Sequence, residues 1–433
     1  MAAGSFYQSW GFTDNPFSAK PLRADAIGAR LLVGRDSELH RVKFRLSAGG
    51  AAVCLDGPVG VGKTSLANVA AFQVQDEYCA DPQKCPLLLP CRTTFQISKE
   101  ESPEDLRFRI LLEVAQTLIE KAPSFRSRGS LNGMGALSAW LNNPVVGQLE
   151  LQIAGFGGGR AVQPNESSGF TTSGFVRQVT EWLAAVFPDD DTGGVICVID
   201  NLELLETSAA ARQTIESLRD TLFTIRGLRW ILCGAHGIIH SVVMSPRLIG
   251  HLGEPLPVPR LRLMQAQQVF DARLEAFKDH MRPAQYLPLT RDDFHKLYLI
   301  VGENLRHALA TAHTYCMHVA ESGIRPASDS EKSDRFGAWL LAQARATRDA
   351  AKGHIGPTAL KLLRDSIKQV RGEFSPSDFS LFGFNSLQGM RPHVKALEDV
   401  GLVEATRDDS DQRRRTITVT GKGWLVDWAE ATH

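Results

Sequence analysis

Apolar residues recur along the chain in two rhythms. Five short, nearly unbroken runs read as strands buried on both faces: "AAVCLD" (51–56), "CPLLLPCRTTF" (85–95), "GGVICVID" (193–200), "LRWILCG" (228–234) and "PLPVPRL" (255–261). Between them apolar positions fall three or four apart, the spacing of amphipathic helices. Such stretches are "LVGRDSELHRVKFRL" (32–46), with Asp36 or Ser37 near its cap, and "TSLANVAAFQV" (64–74). "SPEDLRFRILLEVAQTLIEKA" (102–122) starts at Ser102, with Glu104 and Asp105 in its first turn; "FVRQVTEWLAAVF" (175–187) and "AARQTIESLRDTLFTIRG" (210–227) follow. Strands alternating with helices predict a parallel sheet with helices on both faces, an α/β core. After the last strand only helical spacing remains, in 264–280 and 290–321, which predicts a helical lid.

Two regions depart from this pattern. Residues 126–173 are rich in Gly, Ser and Asn and read as an insertion into the core. Within it "VVGQLELQIAG" (145–155) alternates like a strand, and "GFGGGR" (155–160) reads as a loop tip because no helix follows it. Residues 356–433 predict three helices, two strand-like runs around a polar, basic tip and a closing helix, the order of a winged helix-turn-helix. The expected division is a lead-in at 1–50, a core at 51–262, a lid at 263–325, a linker at 326–355 and the winged helix at 356–433.

The chemistry starts at "LDGPVGVGKTSLANVAAF" (55–72). Gly57, Gly62, Lys63 and Thr64 fit G-x-x-x-x-G-K-[ST], between a strand and a helix as that motif requires. The loop of Gly57, Pro58, Val59, Gly60, Val61 and Gly62 is expected to wrap phosphates. Its glycines let backbone amides come close, and the helix N-terminus adds its positive dipole end. Lys63 is assigned to the β and γ phosphates and Thr64 to Mg²⁺, with Ser65 as a nearby donor. ATP and Mg²⁺ are the implied cofactors. Asp200 ends its apolar run as a metal-binding aspartate does, and is the second candidate Mg²⁺ ligand; its plainer role is to cap the next helix.

The residue after Asp200 is Asn201, where many hydrolysing P-loop ATPases carry Glu; Asn is a poor base at neutral pH. Glu203 and Glu206 are the acids nearest in sequence. Slow hydrolysis is therefore expected. His236 in "GAHG" is a candidate sensor of the γ-phosphate or a helix cap. Arg306 in "VGENLRHALATAH" (301–313) is a candidate lid arginine, and Arg247 in "SPRLIG" a candidate arginine finger for a neighbouring subunit. For both, a solvated surface position is the alternative.

"GPVGVGKTS", "VICVIDNLE", "ILCGAHG" and "VGENLRHAL" occur in the order Walker A, Walker B, sensor 1, sensor 2. This set resembles AAA+ ATPases, particularly the origin-recognition-like and related STAND-type branch, over about residues 30–325. "ALEDVGLVEATRDDSDQRRRTITVTGKG" resembles the recognition-helix end and wing of MarR-type winged helices. The resemblance implies nucleotide between core and lid, and a winged helix that binds DNA. Gln388, Arg391 and Lys395, with Asn385, would face the major groove, and Arg413, Arg414 and Arg415 on the wing the minor groove or phosphates.

Charge moderates that expectation. The chain carries 48 basic and 48 acidic residues, so nothing pulls it as a whole toward nucleic acid or membrane. No run of eighteen apolar residues predicts a membrane span, and the N-terminus lacks the pattern of a secretory signal. Cys54, Cys197 and Cys233 read as core thiols, while the spacing of Cys79, Cys85 and Cys91 is not a zinc pattern. A reduced, cytoplasmic protein is expected. The combined reading is an ATP-controlled switch that binds double-stranded DNA, with a homo-oligomer or partner protein open. Its rival is a non-hydrolysing adaptor whose winged helix binds protein.

Overall fold

The computed structural model describes residues 6–98, 101–125, 135, 172–205, 208–235, 237–282, 284–406 and 416–432. The strand expected at 145–155, the glycine-rich tip, Glu206, His236 and the wing arginines Arg413, Arg414 and Arg415 lie outside the described residues.

Three helices open the chain: α1 (Phe6–Ser9), α2 (Ala26–Leu31) and α3 (Asp36–Ala48). The core continues with β1 (Val53–Asp56), α4 (Lys63–Ala80), β2 (Leu87–Gln96), α5 (Pro103–Lys121) and α6 (Thr172–Val186). Then come β3 (Gly193–Asp200), α7 (Ser208–Leu218), β4 (Leu228–Gly234), α8 (Ile238–Val243) and β5 (Leu256–Pro257). The five strands pair in parallel, in the order β2-β3-β4-β1-β5. Every residue of β3 and β4 is buried, because helices cover both faces of the sheet. Ser102 caps α5 by accepting from the Asp105 amide, as its sequence predicts. The α3 cap differs: Arg35 occupies it without a side-chain cap bond, and Asp36 sits in the first turn.

The lid is α9 (Leu263–Ala276), α10 (Arg291–Ile300), α11 (Leu305–Ser322) and α12 (Asp329–Lys352). The stretch expected as a linker is thus mostly a 24-residue helix. Ser328 caps α12, and Phe336, Leu340 and Ala344, spaced four apart, enter the lid core. The lead-in also belongs there: Tyr7, Trp10, Phe12 and Phe17 are buried in the same core. Buried Arg273 of α9 donates to the Pro16 and Ser18 carbonyls at 3.1 and 2.9 Å, pinning this strap.

The C-terminal module runs α13 (Pro357–Val370), β6 (Glu373–Phe374), a 3₁₀ turn (Pro376–Ser380), α14 (Leu387–Asp399), β7 (Val403–Thr406), β8 (Thr416–Val419) and α15 (Gly421–Ala431). The described elements are consistent with a winged-helix domain, and the second of its three expected helices is the 3₁₀ turn. The short strand β6 was not expected; it joins an antiparallel sheet ordered β6-β8-β7. Pro392 falls in the second turn of α14.

Candidate nucleotide-binding site

In a parallel sheet, ligands gather at the carboxyl ends of the strands. Here the ends of β1, β3 and β4 lie side by side, with β4 between the other two. The phosphate loop leaves β1, Asp200 ends β3, and Ala235 follows β4. Gly60 and Gly62 have φ of +83° and +98°, which side chains rarely adopt, so the loop can turn tightly into α4. Thr64 donates from Oγ1 to Asp200 Oδ2 at 2.7 Å, and both residues are buried. A hydroxyl and a carboxylate held together at a loop of backbone amides form a donor set that suits a hard divalent cation beside phosphates. Lys63 Nζ donates to the Gly57 and Pro58 carbonyls at 2.8 and 3.0 Å, so the ammonium is held within the loop. Ser65 faces elsewhere: its hydroxyl accepts from the Leu22 amide at 3.1 Å, tying the N-terminal strap to α4.

Asn201 has φ of +57°, a conformation Asn tolerates better than most residues. Glu203 accepts from the Ala235 amide at 3.1 Å, linking the segment after β3 to the end of β4. Arg306 is exposed in the first turn of α11 and lines the cleft facing the loop. Arg247 lies away in a 3₁₀ turn, its guanidinium 3.5 Å from Glu216 Oε2. Gln388, Arg391 and Lys395 are exposed on one face of α14, three and four residues apart.

Three contributors were not singled out by sequence. Asn304 caps α11 and donates to the Val59 carbonyl at 3.2 Å, joining lid to phosphate loop. Its position after a glycine turn and before a helical run was a legible cap signal. Buried Arg35 donates to the carbonyls of Val61 and Pro259 at 3.0 and 2.6 Å, clamping the loop to the segment between β5 and the lid. Nothing in its local sequence marks that role. The third is Glu404 of β7, which lines the cleft from the C-terminal module. Crowding by surrounding protein raises its carboxyl pKa; Glu203 adds to the shift, while Lys63 and Arg306 oppose it.

No family model matches the chain, and no curated protein matches it in sequence. Among solved structures it is similar to the ORC2 protein of Aeropyrum pernix, described in ADPNP–ADP complexes: 12% identity, 97% of this chain and 98% of that one, TM-score 0.47. It is similar to the Walker-type ATPase PABY2304 of Pyrococcus abyssi at 11% identity, covering 95% and 99%, TM-score 0.46. The ORC1 protein of Aeropyrum pernix in complex with DNA matches at 14% identity over 94% and 96%, TM-score 0.43. These likenesses are weak, and the fold assignment stands on the strand order, the loop and the Thr64–Asp200 pair. The chain has the P-loop NTPase fold with a helical lid, and origin-recognition proteins and a Walker-type ATPase are among the structures it is similar to along nearly its whole length.

Proposed function

We propose that the protein binds ATP with Mg²⁺ and acts as an ATP-controlled switch on duplex DNA, with slow hydrolysis. The observation that carries the nucleotide reading is the buried Thr64–Asp200 hydrogen bond at the foot of a G-x-x-x-x-G-K-T loop. Bound Mg²⁺ and ATP would supply the electrophilic phosphoryl group and neutralise its charge. Thr64 and Asp200 would hold the metal, Lys63 would exchange its two loop carbonyls for phosphate oxygens, and the amides of the loop and α4 would orient them. Asn201 orients water but takes no proton at neutral pH, which supports slow turnover. Arg306 would meet the phosphates from the lid, and Arg247 would serve a neighbouring copy in an oligomer. His236 remains the proposed sensor after β4.

DNA binding rests on α14, whose exposed Gln388, Arg391 and Lys395 share one face, and on the wing cluster Arg413, Arg414 and Arg415. The adaptor reading draws on a different observation. The C-terminal module sets Leu425 and Ala429 of α15 into the lid core, as a part that holds the lid would. No described helix is long and apolar enough to cross a membrane; a cytoplasmic location is part of the proposal. Calorimetry with Mg²⁺ and ATP, followed by fluorescence anisotropy on labelled duplex over a salt series with and without ATP, tests both readings. ATP binding with salt-dependent duplex binding supports the switch. ATP binding without duplex binding at low salt in either state leaves the adaptor.

A further inference from the structure

The nucleotide cleft has a roof that belongs to another part of the fold. Its floor is the loop from Pro58 to Val61 and one wall is the lid turn, including Asn304 and Arg306. The roof is β7, β8 and the start of α15, with Glu404 on the cleft side. The partly open cleft holds about 280 Å³, just under the roughly 300–1,000 Å³ in which small-molecule pockets fall. A smaller cavity continues from it, bounded by Pro58, Val59 and Ala235 below and by Glu373, Glu404 and Thr418 above. Glu404 therefore lines both, above the first residues of the loop and the end of β4.

That end of the cleft has a chemical meaning. Thr64 and Asp200 would hold a metal that offsets the charge of the γ-phosphate. The γ-phosphate thus belongs on the side of Asp200 and β4, where Glu203 already binds the Ala235 amide. Glu404 is close enough to that side to feel the charges of Glu203, Lys63 and Arg306. Its place is fixed by the module's seat on the lid. Trp424 lies against Gly302 and His307 against Gly421, with no room for a Cβ at either glycine. Glu430 of α15 pairs with Arg348 and Lys352 of α12 at 3.6 and 3.1 Å.

We propose that Glu404 is a specificity-determining residue that sets ADP against ATP: its carboxylate covers the γ-phosphate position while the C-terminal module is seated. ADP ends one phosphate short and is compatible with the seated module. The γ-phosphate of ATP meets the carboxylate at short range in a partly enclosed cleft, so ATP binding must push the module away. The charge that drives the switch is then built into the module that carries α14. This inference rests on the ATP-binding reading and names its regulation.

The test is calorimetry of Mg²⁺-ADP and of a Mg²⁺-bound non-hydrolysable ATP analogue, with wild type, Glu404→Gln and Glu404→Ala. Gln keeps the shape and removes the charge; Ala removes both from a side chain that lines the cleft and belongs to no hydrophobic core, so neither variant disturbs a core. Both should bind the analogue about tenfold more tightly than wild type, with ADP affinity changed by less than about twofold. Small-angle scattering should show the wild type expanding with the analogue and not with ADP. Equal shifts for the two nucleotides, or weaker analogue binding in the variants, overturns the inference; the latter would make Glu404 a helper of the bound metal. Wild type that binds neither nucleotide removes the ATP-binding reading, and this inference with it.

Discussion

Lys63 spends its charge on two carbonyls of its own loop. Lys63→Ala should weaken ATP binding by about 3 kcal/mol, more than about a hundredfold, because charge-assisted hydrogen bonds to phosphate are lost. Calorimetry reads the loss, and an unchanged circular dichroism spectrum shows that the fold survives. Asp200→Ala should remove Mg²⁺ dependence, because it leaves Thr64 without its partner. Asn201 makes a different prediction. At φ of +57° an Ala is strained where Asn and Gly are not. Asn201→Ala should cost about 1 kcal/mol in a denaturant melt and Asn201→Gly much less. That left-handed turn also restricts what a glutamate at 201 could do, so restoring the acid by Asn201→Glu carries the same backbone cost.

At the level of elements, α11 and α14 carry the two surfaces on which the proposed function rests. Asn304 begins α11 and binds the Val59 carbonyl, so one side chain both caps a lid helix and holds the loop. Asn304→Ala should destabilise α11 by about 1 kcal/mol and speed hydrogen exchange at its first turn. On α14, Arg391→Ala should change sequence preference among duplexes, because that face would meet base edges. Replacing Arg413, Arg414 and Arg415 together with Ala should weaken duplex binding across sequences. It should also flatten the salt dependence, since up to about three phosphate contacts would go. Anisotropy over a salt series separates the two effects, and ATPase activity without DNA should persist in the triple variant.

Across the whole molecule, the lid joins parts distant in sequence. His307 of α11 is held below its usual pKa by burial, with Lys422 of α15 acting in the same direction. His313, beside Tyr7 of the strap, is lowered by burial. A histidine with a lowered folded pKa prefers to be neutral in the folded protein, and the unfolded state binds more protons. Its contribution is full above the unfolded value of ~6.5 and is lost as pH falls below it. Melting temperature should therefore drop between pH 7.5 and 5.5, and His307→Gln should reduce part of that drop. A variant with the same slope as wild type would remove His307 from the coupling of lid to C-terminal module.

The sequence by itself determined the α/β core, the phosphate loop, the aspartate at the end of β3 and the helices at 357–370, 387–399 and 421–431. These are local facts: apolar runs buried on both faces, a motif of fixed spacing, caps such as Ser102 and turns such as Gly401. Only tertiary structure decided that residues 329–352 are a lid helix, because a mixed helix looks like a linker until Phe336, Leu340 and Ala344 find a core. The same holds for the strap from Tyr7 to Phe17, whose aromatic residues are buried by helices some 260 to 330 positions away. Arg35 and Glu404 are the clearest cases at the site. One reaches a carbonyl 224 residues on, and the other comes from a strand of another module. Periodicity and motif spacing report neighbours along the chain, whereas these contacts exist only once the lid has folded back over the loop.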